Sequence, residues 1–263
     1  MTTRTRRPLH RYPVIVFDLD GTLAPSKSEL DAEMQALLKQ LLSSKKVAII
    51  SGGSFNQFKK QIIEPLAQGA VGNLKNLLLF PTCSTQHHAY QDGWRCVYAL
   101  QIPSSDKQRI TIAFNSVIDQ LAFRPQQQWG ELIEDRGSQI TYSALGQQAP
   151  LHVKETWDPD QKRRLTMKRL LDRLLPDFEV RVGGSTSIDV TMKGIDKAYG
   201  IRKIMDVLNL PVSSILFVGD ALFPGGNDHA ALQTGVDTYA VKNPEDTKLL
   251  IRTIIGDSLK GFI

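Results

Sequence analysis

The sequence is poor in the residues that mark several protein classes. Only two cysteines occur in 263 residues, Cys83 and Cys96. Their spacing matches no metal-binding pattern, and two are too few for a disulfide scaffold. They read as thiols of a reducing compartment, with a disulfide across the hairpin they bracket as the alternative. No run of about 18 apolar residues exists, which excludes a membrane-spanning helix. The N-terminus lacks an apolar signal core. The expectation is a cytoplasmic protein with no membrane partner. Aromatic residues make up 7%, and no basic patch is interleaved with them, so no nucleic-acid partner is expected. There are no repeats, and Gln126-Gln127-Gln128 is too short to count as low complexity.

What remains is an ordinary globular composition, 41% hydrophobic and 22% charged. The length suits one large domain or two modest ones. Net charge is +5, and Arg4, Arg6, Arg7 and Arg11 supply much of it. They lie in a polar arm over residues 1–12, which reads as a flexible solvated tail; the alternative is a tether to nucleic acid or membrane.

The chain is organised around Val14-Ile15-Val16-Phe17, which runs into Asp18-Leu19-Asp20-Gly21-Thr22. Four apolar residues ahead of an acidic, Gly-containing turn predict a buried strand with two carboxylates at its end. Bare carboxylates at i and i+2 repel, and a hard cation such as Mg²⁺ removes that cost. A helix is predicted over residues 29–42, capped by Ser28 or Asp31, then a second buried strand over residues 46–50. The crossover makes the two strands parallel. Ser51-Gly52-Gly53-Ser54 therefore lands at the edge that holds Asp18, and it opens a helix. Exposed N–H groups at a helix start suit phosphate.

From about residue 84 to 186 the pattern turns antiparallel. Hairpins are predicted around Asp92-Gly93 and around Asp135-Arg136-Gly137-Ser138, with helices over residues 106–122 and 158–175. His87 and His88 sit on the first hairpin and read as surface or structural residues. A parallel pattern then resumes: a helix from Lys197, a strand ending at Gly219-Asp220, a short helix opening at Asn227-Asp228-His229, an edge strand over 237–241 and a last helix over 244–255. The fold class is α/β, with a parallel-sheet core over residues 13–83 and 187–263. An inserted α+β domain over residues 84–186 is expected to act as a cap.

Asp18, Asp20, Ser51, Lys197 and Asp220 thus converge on one sheet edge. Carboxylates hold Mg²⁺, while Mg²⁺ and Lys197 neutralise phosphoryl oxygens. Ser51 and nearby N–H groups donate to the rest, and one carboxylate is left to attack.

Asp18-x-Asp20-Gly21-Thr22, Ser51, Lys197 and Gly219-Asp220 with Asn227-Asp228 resemble, in order, the four motifs of the haloacid dehalogenase (HAD) superfamily. The resemblance implies a Rossmannoid core and a type IIB cap. It makes Asp18 the nucleophile and a metal ligand. Asp20 becomes the acid/base, giving its backbone carbonyl to the metal. Ser51, Gly52 and Lys197 become phosphate binders, and Asp220 a ligand supported by Asn227 or Asp228.

Within that branch the chain looks most like eukaryotic phosphomannomutases. The carriers are Gly219-Asp220 with Pro224-Gly225-Gly226-Asn227-Asp228-His229, Gly183-Gly184 with Ser187-Ile188-Asp189-Val190, and Ile133-Glu134-Asp135-Arg136. By that match Arg136, Ser187 and Asp189 contact the distal part of a sugar phosphate, and the cap mediates a homodimer. Two departures stand out. The family has arginines where this chain has Trp129 and Gln147. A mutase holds a bisphosphate and needs cationic groups for its second phosphate. The expected function is therefore a Mg²⁺-dependent sugar-phosphate phosphohydrolase with an aspartyl-phosphate on Asp18. The alternative is a phosphomannomutase, and a less favoured one is a non-catalytic sugar-phosphate-binding protein.

Overall fold

The computed structural model describes residues 3–67 and 73–260, with side chains up to residue 256. The chain divides into two compact units, Met1–Tyr98 with Asp196–Ile263, and Ala99–Ile195. In chain order the strands are β1 Val14–Asp18, β2 Lys46–Ile50, β3 Leu77–Phe80, β4 Gln86–Tyr90, β5 Trp94–Ala99, β6 Ile133–Asp135, β7 Gln139–Ser143, β8 Phe178–Gly183, β9 Ser187–Met192, β10 Ile215–Gly219 and β11 Asp237–Ala240.

The first unit carries a sheet of order β11-β10-β1-β2-β3-β4-β5. β1 lies between two parallel neighbours, with Asp18 opposite Ile50 and Phe17 opposite Val218. All five β1 residues are buried, and alternation sends them into two layers. Ile15 and Phe17 pack with Met34, Leu38 and Leu41 of the helix Ala32–Leu42. Val14 and Val16 pack with Ile201 and Ile204 of the helix Lys197–Leu208. Helices on both faces explain why the strand reads as a continuous apolar run. Asp31, not Ser28, caps the first helix, accepting the Met34 N–H at 2.8 Å, and the helix starts at Ala32. The chain leaves β1 toward β2 on one side and returns as β10 on the other. That reversal opens a crevice at the strands' carboxyl ends.

The 86–99 hairpin was expected in the inserted domain but belongs to this sheet. β4 pairs antiparallel with β3, Leu78 opposite Ala89 and Leu79 opposite His88. His87 stacks on Phe80, with centroids 4.5 Å apart, and His88 on Phe55 at 3.6 Å. Both histidines are buried structural groups. Burial pushes each imidazole down from 6.5 to about 4. The unfolded chain thus takes up protons that the folded one refuses. His87 contributes stability in full above pH 6.5, and that contribution is lost as pH falls toward about 4. A His87→Phe protein should lose less stability than the parent between pH 7 and 4.5. Paired urea titrations at each pH measure the difference; equal slopes would refute the assignment.

The arm also departs from expectation. Residues 3–12 are not a free tail: Arg4 and Thr238 exchange N–H···O bonds of 2.8 and 2.9 Å, an antiparallel bridge onto β11. The buried Asp237 accepts from the Tyr12 hydroxyl at 2.7 Å and pairs with Arg6 at 3.3 Å. Burial, then Asp237, pushes the Tyr12 phenol up to about 12. Met1 and Thr2 lie outside the described residues.

The second unit is an antiparallel sheet of order β6-β7-β9-β8. β9 lies between β7 and β8, so it belongs here rather than to the core. The unit is therefore Ala99–Ile195, not 84–186, because hydrogen-bond ladders set membership. Ile140, Tyr142, Ile188 and Val190 pack against the helices Ser104–Gln120 and Lys162–Leu174. The latter begins at Lys162 rather than at Asp158. The Asp158 carboxylate reaches forward instead, accepting from the N–H groups of Arg163 at 3.0 Å and Arg164 at 3.1 Å. A helix Leu151–Trp157 had no sequence expectation. The expected helix after Asn227 is a 3-10 turn, His229–Thr234, and the last helix runs to Lys260.

Candidate active site

β1 delivers Asp18, 3% exposed, to the crevice. The helix from Lys197 opens beside it. Asp196 caps that helix by accepting the Tyr199 N–H at 2.8 Å, which fixes the first turn. The Lys197 ammonium, itself buried, donates to the Asp18 carboxylate and to the Ile50 carbonyl at 2.9 Å. It lies 3.2 Å from Asp228 Oδ1. Asp18, Asp220 and Asp228 each bring one oxygen within 4.8 Å of the other two.

Two glycines allow this crowding. Gly21 has φ of +88°, and a Cβ there would lie 2.7 Å from an Asp220 oxygen. At Gly219 a Cβ would lie 2.3 Å from Asp228 Oδ2. The Thr22 hydroxyl donates to Asp220 at 3.0 Å, and the Ala221 N–H to Asp228 at 3.1 Å. A Gly219→Ala chain should stay folded, lose roughly tenfold or more in divalent-cation affinity by displacing Asp228, and show this in a metal titration followed by calorimetry. Unchanged affinity would remove Asp228 from the site.

Electrostatics follow from burial. Desolvation raises the Asp18 carboxyl well above its usual range; Lys197 opposes this, and Asp228 and Asp220 add to it. Burial, then Asp228, pushes Asp220 up to about 6. Burial pulls the Lys197 ammonium down, but Asp18 and Asp228 outweigh it and hold it above its ordinary value. Three clustered carboxylates facing one lysine leave surplus negative charge. The donors are all hard oxygens within reach of one ion, so the residues fit a hexacoordinate cation such as Mg²⁺.

Asp20 is not in this cluster. Its Oδ1 accepts the Lys27 N–H at 2.7 Å and lies 3.5 Å from Gln61 Nε2. Asn227, half-buried, precedes Asp228 on the loop after β10. Ser51 follows β2, one residue beyond the Ile50 carbonyl that Lys197 grips. Its hydroxyl accepts the Gly53 N–H at 3.1 Å, and Gly52 lies between them. Ser54 then forms a capping box with Gln57 and starts the helical run that includes Phe55–Phe58.

Two contributors escaped sequence reasoning. Gln61 lies in a π turn, Lys59–Ile63, and also donates to the Ser28 carbonyl at 2.9 Å, tying down the loop after Asp20. No local pattern signals that wide turn. After β3, Thr82, Cys83 and Ser84 have φ of 50°, 54° and 70°. This left-handed run gives the Thr82 N–H to the Gly53 carbonyl at 2.8 Å and the Cys83 N–H to the Ser51 carbonyl at 2.9 Å. Left-handed strain is costly for such residues and collects at functional loops.

Arg136, Ser187 and Asp189 lie in the second unit. Asp189 accepts from Gln139 Nε2 at 2.9 Å and from the Thr141 hydroxyl at 2.8 Å. Ser187 Oγ lies 3.1 Å from Ser143 Oγ, which accepts from Gln147 Nε2 at 2.7 Å. These groups share one polar face of the sheet. The Arg136 side chain, 4% exposed, donates twice to Glu134, at 2.9 and 2.7 Å.

The sequence model of the eukaryotic phosphomannomutase family matches residues 34–257. The chain belongs to that family. Within the HAD superfamily it is an enzyme of phosphatase or phosphomannomutase type. Phosphomannomutase 2 of Dictyostelium discoideum is 26% identical over 250 residues, covering 90% of this chain and 94% of the relative. The phosphomannomutase of Spinacia oleracea is 26% identical over 241 residues, covering 89% and 92%. An IMP-bound IMP-nucleotidase of Plasmodium falciparum superposes with TM-score 0.67 at 17% identity, over 94% of this chain and 68% of that one. A trehalose-6-phosphate phosphatase related protein gives 0.57 at 17% identity, over 94% and 99%. The two structures share the α/β fold. The named relatives favour the mutase alternative over the hydrolase first expected. Among the described residues no helix is long and apolar enough to cross a membrane.

Proposed function

We propose that this family member is a phosphomannomutase-type enzyme that moves a phosphoryl group between mannose 1-phosphate and mannose 6-phosphate through Asp18. The supporting observation is the buried Asp18 held by Lys197 with Asp220 and Asp228 within 4.8 Å. An Asp18 oxygen bonds to phosphorus as the bond from phosphorus to the sugar oxygen breaks, and Asp20 gives that oxygen a proton. A second sugar oxygen then loses its proton to Asp20 and attacks phosphorus, which frees Asp18. Lys197, Ser51 and the Gly52 N–H neutralise the phosphoryl oxygens. Bound Mg²⁺, held by Asp18, Asp220 and Asp228 with Asn227 in support and the Asp20 carbonyl as a further ligand, would offset phosphoryl charge. Arg136, Ser187 and Asp189 supply groups for the sugar. A cytoplasmic enzyme, dimeric through the second unit and without nucleic-acid or membrane partners, belongs to the same proposal.

Hydrolysis of a sugar phosphate is the second reading, and Trp129 and Gln147 favour it. In it water replaces the second sugar oxygen. Purified protein with Mg²⁺ would be given mannose 1-phosphate and a hexose bisphosphate activator, and in parallel a panel of hexose and pentose phosphates. Isomerisation with little phosphate release supports the mutase. Phosphate release without isomerisation overturns it.

A further inference from the structure

The second unit holds a cavity of about 290 Å³ lined by none of the groups proposed above for phosphoryl transfer, metal or sugar. It opens between the segment after the helix Ser104–Gln120, the helix Leu151–Trp157 and the start of the helix Lys162–Leu174. Its walls include Phe123, Trp129 and Trp157, with Gln126, Gln127 and Arg163. No carboxylate lines it.

The cations here are not equivalent. Lys162 pairs with Asp160 at 2.7 Å and Arg164 with Asp158 at 2.8 Å. Arg124, also in the wall, pairs with Asp119 at 2.7 Å. Among the described residues the Arg163 guanidinium has no carboxylate partner. It lies over the rings of Phe123 at 5.8 Å and Trp157 at 5.4 Å. Those rings meet edge to face, 6.3 Å apart. The two rings hold the cationic centre in the wall, and with no carboxylate competing, its N–H groups can take an anion.

Trp129 is fixed differently. Its N–H donates to the Leu145 carbonyl at 2.9 Å, and its carbonyl accepts from Gln148 at 3.0 Å. A Cβ at Gly146 would come within 2.1 Å of that carbonyl, so the backbones are pressed together. The indole ring is half-buried and has no ring partner among the described residues. A rigid, unstacked indole is a platform for a planar ring, and carboxamides such as those of Gln126 and Gln127 can pair with a purine edge.

We propose that this cavity binds a purine nucleoside monophosphate, with the base on Trp129 and the phosphate on Arg163. The volume, at the lower end for ligand sites, suits one nucleotide and no more. A free sugar phosphate fits less well, because the walls offer no carboxylates to its hydroxyls.

The test is a titration of the full chain with AMP, read by tryptophan emission; two of the three tryptophans line the cavity. Adenosine and ribose 5-phosphate run as partial ligands, and the Asp18→Asn protein as a control for the other site. AMP should quench saturably and bind at least about tenfold more tightly than either partial ligand. Arg163→Gln should weaken it about tenfold or more, Trp129→Leu should weaken it to a similar degree and remove the larger part of the quench, leaving what Trp157 reports, and turnover of sugar phosphate without AMP should be unchanged in Arg163→Gln. AMP binding should persist in Asp18→Asn. Three results would overturn the proposal: no saturable binding, ribose 5-phosphate binding as tightly as AMP, or binding lost in Asp18→Asn but kept in Arg163→Gln.

Discussion

An Asp18→Asn protein should fold, keep its thermal midpoint within a few degrees and lose at least about a thousandfold in turnover. Asparagine matches the shape of aspartate and still offers an oxygen to the Lys197 ammonium. The Ile50 carbonyl and Asp228 remain as the other partners of that lysine. What disappears is the anionic oxygen proposed to attack phosphorus. The loss should fall on kcat for both isomerisation and phosphate release, because both begin with the same attack. Turnover at the parent rate, after contaminating phosphatase is excluded by a second purification, would dismiss Asp18 as nucleophile. A collapsed thermal midpoint would mark Asp18 as structural.

Replacing Lys197 with methionine should cost more in stability than any other single change at the site. Lys197 is the buried cation that Asp18 and Asp228 share. Removing one partner of a buried ion pair costs about 3–5 kcal/mol, because the remaining charge is stranded. Here the stranded carboxylates are Asp18 and Asp228, with Asp220 beside them. In chelator, urea titrations should show that loss, and millimolar Mg²⁺ should recover part of it by binding only the folded chain. Asp18, raised well above its usual range even with Lys197 beside it, and Asp220 set the pH trend together. The folded value of Asp220, about 6, lies above the ordinary 3.8. The folded chain therefore binds the extra proton, and this contribution is present at low pH and lost as pH rises through about 6. The metal-free variant should thus gain from mild acid. Equal stability of parent and variant in chelator would mean that Lys197 does not compensate these carboxylates.

The sheet edge of the candidate site was legible because each of its parts is encoded locally. β1, β2 and β10 are short apolar runs buried on both faces, and their ends carry Asp18, Ser51 and Asp220 within a residue of the strand boundary. Parallel order followed from the intervening helix. Sheet membership was not legible where pairing is non-local. β4 and β5 look like part of an inserted hairpin domain until Leu78 and Leu79 are seen opposite Ala89 and His88. β9 looks like core until it is seen between β7 and β8. The helix Leu151–Trp157 buries only Lys154 and so lacks an apolar stripe to read. The helix expected from residue 158 starts at Lys162, and the Asp158 carboxylate acts across five and six residues, on Arg163 and Arg164. Arg136 shows the limit of motif reading: the sequence gives its position, and only coordinates show Glu134 holding it.

The bridge between Arg4 and Thr238 bears on behaviour at high concentration. β11 ends the sheet on one side, and an uncovered strand there would offer its N–H and C=O groups to another molecule. The arm occupies part of that row, and the arginines that carry it disfavour approach by a second, equally basic copy. A chain shortened to begin at Val14 would keep every group of the candidate site yet present a naked β11. Its shortfall would appear as self-association in light scattering, while activity per folded molecule stayed level.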